Sequence, residues 1–216
     1  MIFDKKTAEQ IAQELLAIKA IQLNAEKPFQ WASGWKSPIY CDNRLILSFP
    51  SMRQLVCQAM ADVIKIKYPK TEYVAGVATG AIGFATMVAE SLGLPMVYVR
   101  PEPKKHGRQN QIEGVIPVHK NVIVVEDLIS SGGSSLNAVK ALKEAEANVL
   151  GMVAVFTYNF PIARANFEKH QLDLWTLSDY PTLIAFAKKS NYITSQQEEM
   201  LLTWNNAPNT WTPHSN

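Results

Sequence analysis

Cysteine is scarce in this 216-residue chain, where only Cys41 and Cys57 occur. Two thiols placed this way make neither a disulfide framework nor the paired spacing of a zinc site, which points to a reducing compartment, read here as cytoplasmic, with buried or idle thiols. Glycine and proline are few, at 10 and 12, and this excludes collagen-like and low-complexity classes. With 47% hydrophobic and 19% charged residues, the chain is no mostly disordered polymer, and it is long enough to bury a full core without staples. Neither sign of charge dominates. The formal net charge of +2 is too near balance to argue for a nucleic acid or an anionic membrane as partner, so any basic site must be local. No apolar run reaches the roughly 18 residues of a membrane span. The opening segment, broken by Asp4, Lys5, Lys6, Glu9, Glu14 and Lys19, has no signal-peptide h-region. No internal repeat is visible, and the phosphate motifs G-x-x-x-x-G-K-[ST] and G-x-G-x-x-G after a strand are missing.

What is present is a regular alternation. Ala8, Ile11, Ala12, Leu15 and Ile18 recur at helical spacing and predict an amphipathic helix that docks on the rest. From Tyr73 onward the pattern is that of βαβ units: a β-rich run over 73–78, a helix over Ile82 to Leu92 ended by Gly93 and Pro95, and a strand over Met96 to Val99. A polar, basic segment from Arg100 to Gly114 follows. At about fifteen residues it is longer than an ordinary connector and reads as a functional lid or a disordered piece. Val122 to Val125 is a continuous β-branched run, the mark of a strand buried on both faces. A helix bearing Leu136, Val139 and Leu142 comes next, then strands over Val149 to Phe156 and Leu172 to Leu177 and two short helices, the second opened by a capping box at Ser195-x-x-Glu198. The tail beyond Trp204 either frays or pins Trp211 into a surface pocket. The fold class is therefore α/β, a mostly parallel sheet flanked by helices, with ligands expected at the carboxyl ends of the strands. Residues 1–50, punctuated by Pro28, Gly34, Pro38 and Pro50, form an N-terminal helix and hood. Residues 51–216 form the core with its C-terminal helices, the whole making one compact unit.

The chemistry concentrates in 122–134, where a buried strand delivers Glu126 and Asp127 and a turn of Ser130, Ser131, Gly132, Gly133 and Ser134 opens a helix. Successive N–H groups in such a turn, backed by a helix N-terminus, cradle an anion, and glycine lets the backbone come close to it. Two carboxylates beside a phosphate cradle suit vicinal hydroxyls and a phosphate on one ligand, which is phosphorylated ribose.

That arrangement is similar to the signature of type I phosphoribosyltransferases, which bind 5-phosphoribosyl 1-pyrophosphate. Two further stretches resemble the orotate phosphoribosyltransferase family in particular. They are Phe29 to Arg44, like the family's hood with Ser33, Gly34, Lys36, Tyr40 and Arg44, and Arg100-x-x-x-Lys104-x-His106-Gly107, like its mobile catalytic loop. The likeness spans nearly the whole chain. It implies an enzyme of pyrimidine (UMP) biosynthesis, a glycosyltransferase that moves ribose 5-phosphate to N1 of orotate and releases pyrophosphate. It also implies Mg²⁺ carried by the substrate rather than by protein side chains, and a homodimer with shared active sites. In the roles so implied, Arg100, Lys104 and His106 stabilise the leaving group and Glu126 and Asp127 hold the ribose hydroxyls. Ser130 to Ser134 hold the 5-phosphate, and the Val77-Ala78-Thr79-Gly80 turn forms a pyrophosphate loop of unusual backbone geometry.

Departures from the family pattern fall on the acceptor side. Ala32 and Pro101 stand where many members carry a basic residue, and Tyr158 stands where many carry a pyrimidine-side arginine. The carboxylate of orotate is left to Lys36, Arg44 or Arg164, while Tyr40 either stacks on the pyrimidine or packs in the core. His119, His170 and His214 read as surface residues, Cys57 as core, Lys105 and Arg108 as solvated, and the five tryptophans as packing anchors. A purine or other phosphoribosyltransferase of this fold, or a ribose-phosphate-sensing regulator, is the competing reading. The regulator would need a basic face that the sequence does not supply.

Overall fold

The computed structural model describes residues 1–24, 27–31, 34–102 and 111–212. The chain runs through α1 (Lys5–Ala17), β1 (Ile21–Leu23), β2 (Phe29–Gln30), β3 (Lys36–Ser37), β4 (Ile39–Cys41) and a 3-10 helix (Asn43–Ser48) into α2 (Pro50–Lys67). The alternating part follows as β5 (Tyr73–Val77), α3 (Ile82–Leu92), β6 (Met96–Val99), β7 (Ile112–Glu113), β8 (Asn121–Ile129), α4 (Gly133–Glu144), β9 (Asn148–Thr157), α5 (Pro161–Lys169) and β10 (Leu174–Asp179). Two helices close it, α6 (Tyr180–Lys189) and α7 (Ser195–Asn206). Among the described residues no helix is long and apolar enough to cross a membrane.

The central sheet has the order β10-β9-β8-β5-β6-β7, parallel except for β7, which turns back antiparallel on β6. The β-branched run of β8 explains its central place. Ile123 and Val125 point into a core with α1, α2, α3, α6 and α7, while Val122 and Val124 point into a second core with α4 and α5. A strand with two buried faces cannot alternate apolar with polar residues. The opening helix buries Ala8, Ile11, Ala12, Leu15 and Leu16 against α6 and β10, and Asp4 caps it by accepting from the Thr7 N–H at 2.7 Å. Two small antiparallel pairs, β1 with β4 and β2 with β3, make the hood.

Three sequence expectations are corrected here. The segment after Arg100 is not loop throughout, because β7 pairs Ile112 with Val99 and Glu113 with Tyr98. The capping box of α7 lies one residue earlier, with Thr194 accepting from the Gln197 N–H and Gln197 accepting from the Thr194 N–H. Thr194-x-x-Gln197 and Ser195-x-x-Glu198 both fit the motif, and the extended backbone falls on Thr194. The third correction is the length of β8, which does not end at its acidic pair but runs on to Ile129. Of the two fates open to the tail, packing prevails at Trp211, which lies half-buried against the core.

Candidate active site

The end of β8 is asymmetric. On the β9 side its pairing persists through Leu128↔Phe156 and Ile129↔Thr157, but on the β5 side it ends at Gly76↔Val125. The two carboxylates thus sit where the strand has lost one neighbour, which opens a cleft at the carboxyl edge of the sheet. Glu126 turns inward and is only 4% exposed. Its Oε1 accepts from the Asp127 N–H at 2.9 Å and its Oε2 from the Ser135 hydroxyl at 2.8 Å. Burial, reinforced by the neighbouring Asp127, pushes the Glu126 carboxyl well above the usual carboxylate range. Asp127 turns into the cleft and lies against Gly80, where any side chain would run into its carboxylate.

Two helices aim their N-termini at the same space. α1, α6 and α7 carry side-chain caps, and α2 and α5 begin with proline, but α3 and α4 have neither. Neither start is capped by a side chain, and the helix dipoles add partial positive charge there, although at α3 the Ala81 and Ile82 N–H groups already reach the Val77 and Thr79 carbonyls at 3.1 and 3.4 Å. The turn before α4 holds Ser130 and Ser131 half-buried, and the helix opens with Gly133 and Ser134 exposed. Gly132 has φ +82°, and a Cβ there would meet the Phe167 ring at 2.7 Å. The turn before α3 carries Thr79 and Gly80 after a cis Ala78–Thr79 peptide. The cleft between these turns, about 390 Å³, is lined by Val77 to Gly80, Glu126 to Leu128 and Ser134 on the strand side and by Cys41 to Arg44 on the hood side.

The hood contributes a residue that no local pattern announced. Asn43, 1% exposed, donates through Nδ2 to the Asp127 carbonyl at 2.7 Å. Arg44 lines the cleft, but its guanidinium is held by both oxygens of Asp42 at 2.7 and 2.8 Å. The pairing keeps Asp42 below its ordinary range and Arg44 above. Tyr40 is 40% exposed with its ring 5.7 Å from that of Phe29, so the core alternative for it falls. Gly34, at φ +86°, turns the β2–β3 hairpin, and Lys36 beside it is exposed. Arg164 is absent from the cleft and lines a separate cavity between α5 and the N-terminal segment. Ser33, Lys104 and His106 lie outside the described residues.

Comparison with known proteins identifies the family. A model of the phosphoribosyl transferase domain matches residues 46–174. Orotate phosphoribosyltransferase of Cytophaga hutchinsonii is 50% identical over 203 residues, covering 94% of this chain and 97% of the relative. The chain belongs to the orotate phosphoribosyltransferase family. The same enzyme name attaches to a Porphyromonas gingivalis relative, 49% identical over 96% of this chain and 99% of its own. Among solved structures, orotate phosphoribosyltransferase from Aeropyrum pernix superposes with a TM-score of 0.74 at 26% identity, over 85% of this chain and 99% of that one.

In this orotate phosphoribosyltransferase the residue just past β9 is built into an aromatic cluster. Tyr158 is 2% exposed, stacked on Phe160 at 5.3 Å and packed against Trp31, Tyr180 and Trp204. Trp31 and Trp204 are thus packing anchors, as the sequence suggested. Arg100 stands at the foot of the basic loop rather than on it. Its backbone is bonded to Gln111, its guanidinium meets Glu113 at 3.5 Å, and it is not among the residues lining its own chain's cleft.

Proposed function

We propose that the cleft transfers ribose 5-phosphate from 5-phosphoribosyl 1-pyrophosphate to N1 of orotate, with the work divided among its walls. The observation that carries this reading is the Asp127 carboxylate standing between two uncapped helix N-termini. A ribose bearing a phosphate at one end and a pyrophosphate at the other needs that combination. The α4 turn, Ser130 to Ser134, takes the 5-phosphate, and the Thr79–Gly80 turn before α3 takes the pyrophosphate. Asp127 accepts from a ribose hydroxyl. Glu126 backs it from within and reaches the second hydroxyl only when it gives up one of its present partners.

The bond from ribose C1 to the pyrophosphate oxygen breaks with its electron pair staying on pyrophosphate, and N1 of orotate supplies the pair of the new bond as its N1–H proton is given up to solvent or the departing pyrophosphate. Charge grows on the leaving group, so cationic groups closing over it lower the barrier. Lys104 and His106 have that task. Tyr40, beside Phe29 on the open face of β4, is placed to stack on the pyrimidine. Lys36 takes the orotate carboxylate, since Arg44 is already paired with Asp42.

Mg²⁺ fits as the donor's counter-ion. No group of three His, Cys, Asp or Glu side chains that could hold a metal exists among the described residues, while the cleft offers hard carboxylate oxygen from Asp127. The ion when bound neutralises pyrophosphate charge. The active unit is a cytoplasmic homodimer with shared sites. The test is to incubate the protein with donor, Mg²⁺ and one base at a time. Release of pyrophosphate with orotate and not with adenine or hypoxanthine is the expected result, and turnover of a purine would move the assignment to the competing enzyme class.

A further inference from the structure

We propose that Asn43 is a positioning residue for the transfer reaction, its carboxamide replacing the strand neighbour that β8 lacks at Asp127. The proposal rests on Asp127 being the ribose ligand. A residue inside a sheet has its N–H and C=O fixed by the flanking strands, but pairing with β5 stops at Val125 and the β9 register passes from Glu126↔Ala154 to Leu128↔Phe156. Asp127 is bracketed instead by two side chains. Its N–H goes to Glu126 Oε1 at 2.9 Å and its C=O to Asn43 Nδ2 at 2.7 Å. The amide has one sensible orientation, because Oδ1 accepts from the Cys41 thiol at 3.3 Å while the facing carbonyl of Asp127 can only accept.

Asn43 also opens the 3-10 helix that follows β4, the strand carrying Tyr40. One buried amide therefore connects the acceptor wall to the ribose carboxylate over 84 residues of sequence. Without it the Asp127 carbonyl is left without a partner and the carboxylate is free to drift, and a displacement near 1 Å costs about 10²-fold in rate.

The test compares Asn43→Ala, Asn43→Asp and Asp127→Asn, each melted to establish folding. Asn43→Ala is expected to lose about 10- to 100-fold in kcat/KM for 5-phosphoribosyl 1-pyrophosphate. Asn43→Asp is isosteric. Ionised, it repels the Asp127 carbonyl; protonated, its O–H can donate there as the amide did. The titratable groups around position 43, namely Cys41, Asp42, Arg44, Glu126 and Asp127, are common to both variants, so the ratio of Asn43→Asp to Asn43→Ala activity isolates residue 43. That ratio should rise several-fold from pH 8 to pH 6. A flat ratio, or wild-type kcat/KM in Asn43→Ala, overturns the positioning role even if Asp127→Asn is inactive. Full activity in Asp127→Asn removes the ribose assignment and this inference with it.

Discussion

Asp127 occupies the space that a side chain on residue 80 would need. Built on Gly80, a Cβ would meet the Asp127 carboxylate carbon at 2.6 Å, and the short aspartate stem cannot swing far while its main chain is bracketed on both sides. Gly80→Ala should therefore displace the carboxylate and lose about 10²-fold in kcat/KM with a small change in melting temperature. Steady-state kinetics beside a thermal melt checks it, and unchanged kinetics would mean that the carboxylate position is not critical. Glu126 yields the opposite kind of prediction. Its carboxyl titrates above the usual range because it is buried beside Asp127. A carboxyl with a raised folded-state pKa holds its proton longer folded than unfolded, so its contribution to stability is full below the unfolded pKa and is lost as pH rises through the folded one. Glu126→Gln keeps both hydrogen bonds, since the Ser135 hydroxyl can accept as well as donate. The variant should melt higher than wild type at pH 7 to 8, the gap closing towards about pH 4, while its turnover falls.

The hood is held by a helix distant in sequence. Trp204 of α7 is fully buried, its ring 5.6 Å from Trp31 and 5.5 Å from Phe160 and Tyr180, and its Nε1–H reaches the Lys36 carbonyl at 3.3 Å. Asn205 adds a bond to the Tyr158 carbonyl at 2.8 Å. Trp204→Ala should cost about 3–5 kcal/mol in chemical denaturation, whereas Trp204→Phe, which mainly loses the N–H bond, should cost about 1 kcal/mol beyond its change in packing. Such long-range clamps separate what the sequence tells from what it hides. The Ile82–Leu92 helix ends at Gly93 with φ +65°, as its composition required, because period and left-handed stop are local properties. Hood strands of two or three residues carry no period to read. Asn43 resembles any turn-favouring residue until the fold brings Asp127 to it. The length of β8 escaped for a similar reason, since a partner strand decides it rather than its own residues. The acidic pair and the Ser/Gly turn after it were legible as a contiguous motif, but the hood wall is held in place by contacts from α7 that no local pattern reveals.

At the scale of the whole molecule, the basic loop leaves from the far edge of the sheet, between β6 and β7. Its foot is pinned there by the Arg100–Glu113 and Gln111–Arg100 contacts, and Val115 and Val118 just beyond are 83% and 54% exposed. Exposed apolar residues beside a sheet edge fit a surface that meets a second copy. If one site takes Asp127 from one subunit and Lys104 from the other, two inactive variants can complement each other. Lys104→Ala should by itself lose about 10²-fold or more in turnover, as removal of one preorganised charge-stabilising group does. Mixed under subunit exchange with the Glu126→Gln, Asp127→Asn double variant, it should recover up to about a quarter of wild-type activity, because half of a random mixture is heterodimer and each heterodimer carries one intact site. Native mass spectrometry of the mixture establishes exchange. Activity no greater than the sum of the two preparations, with heterodimer present, would mean that each loop closes over its own cleft.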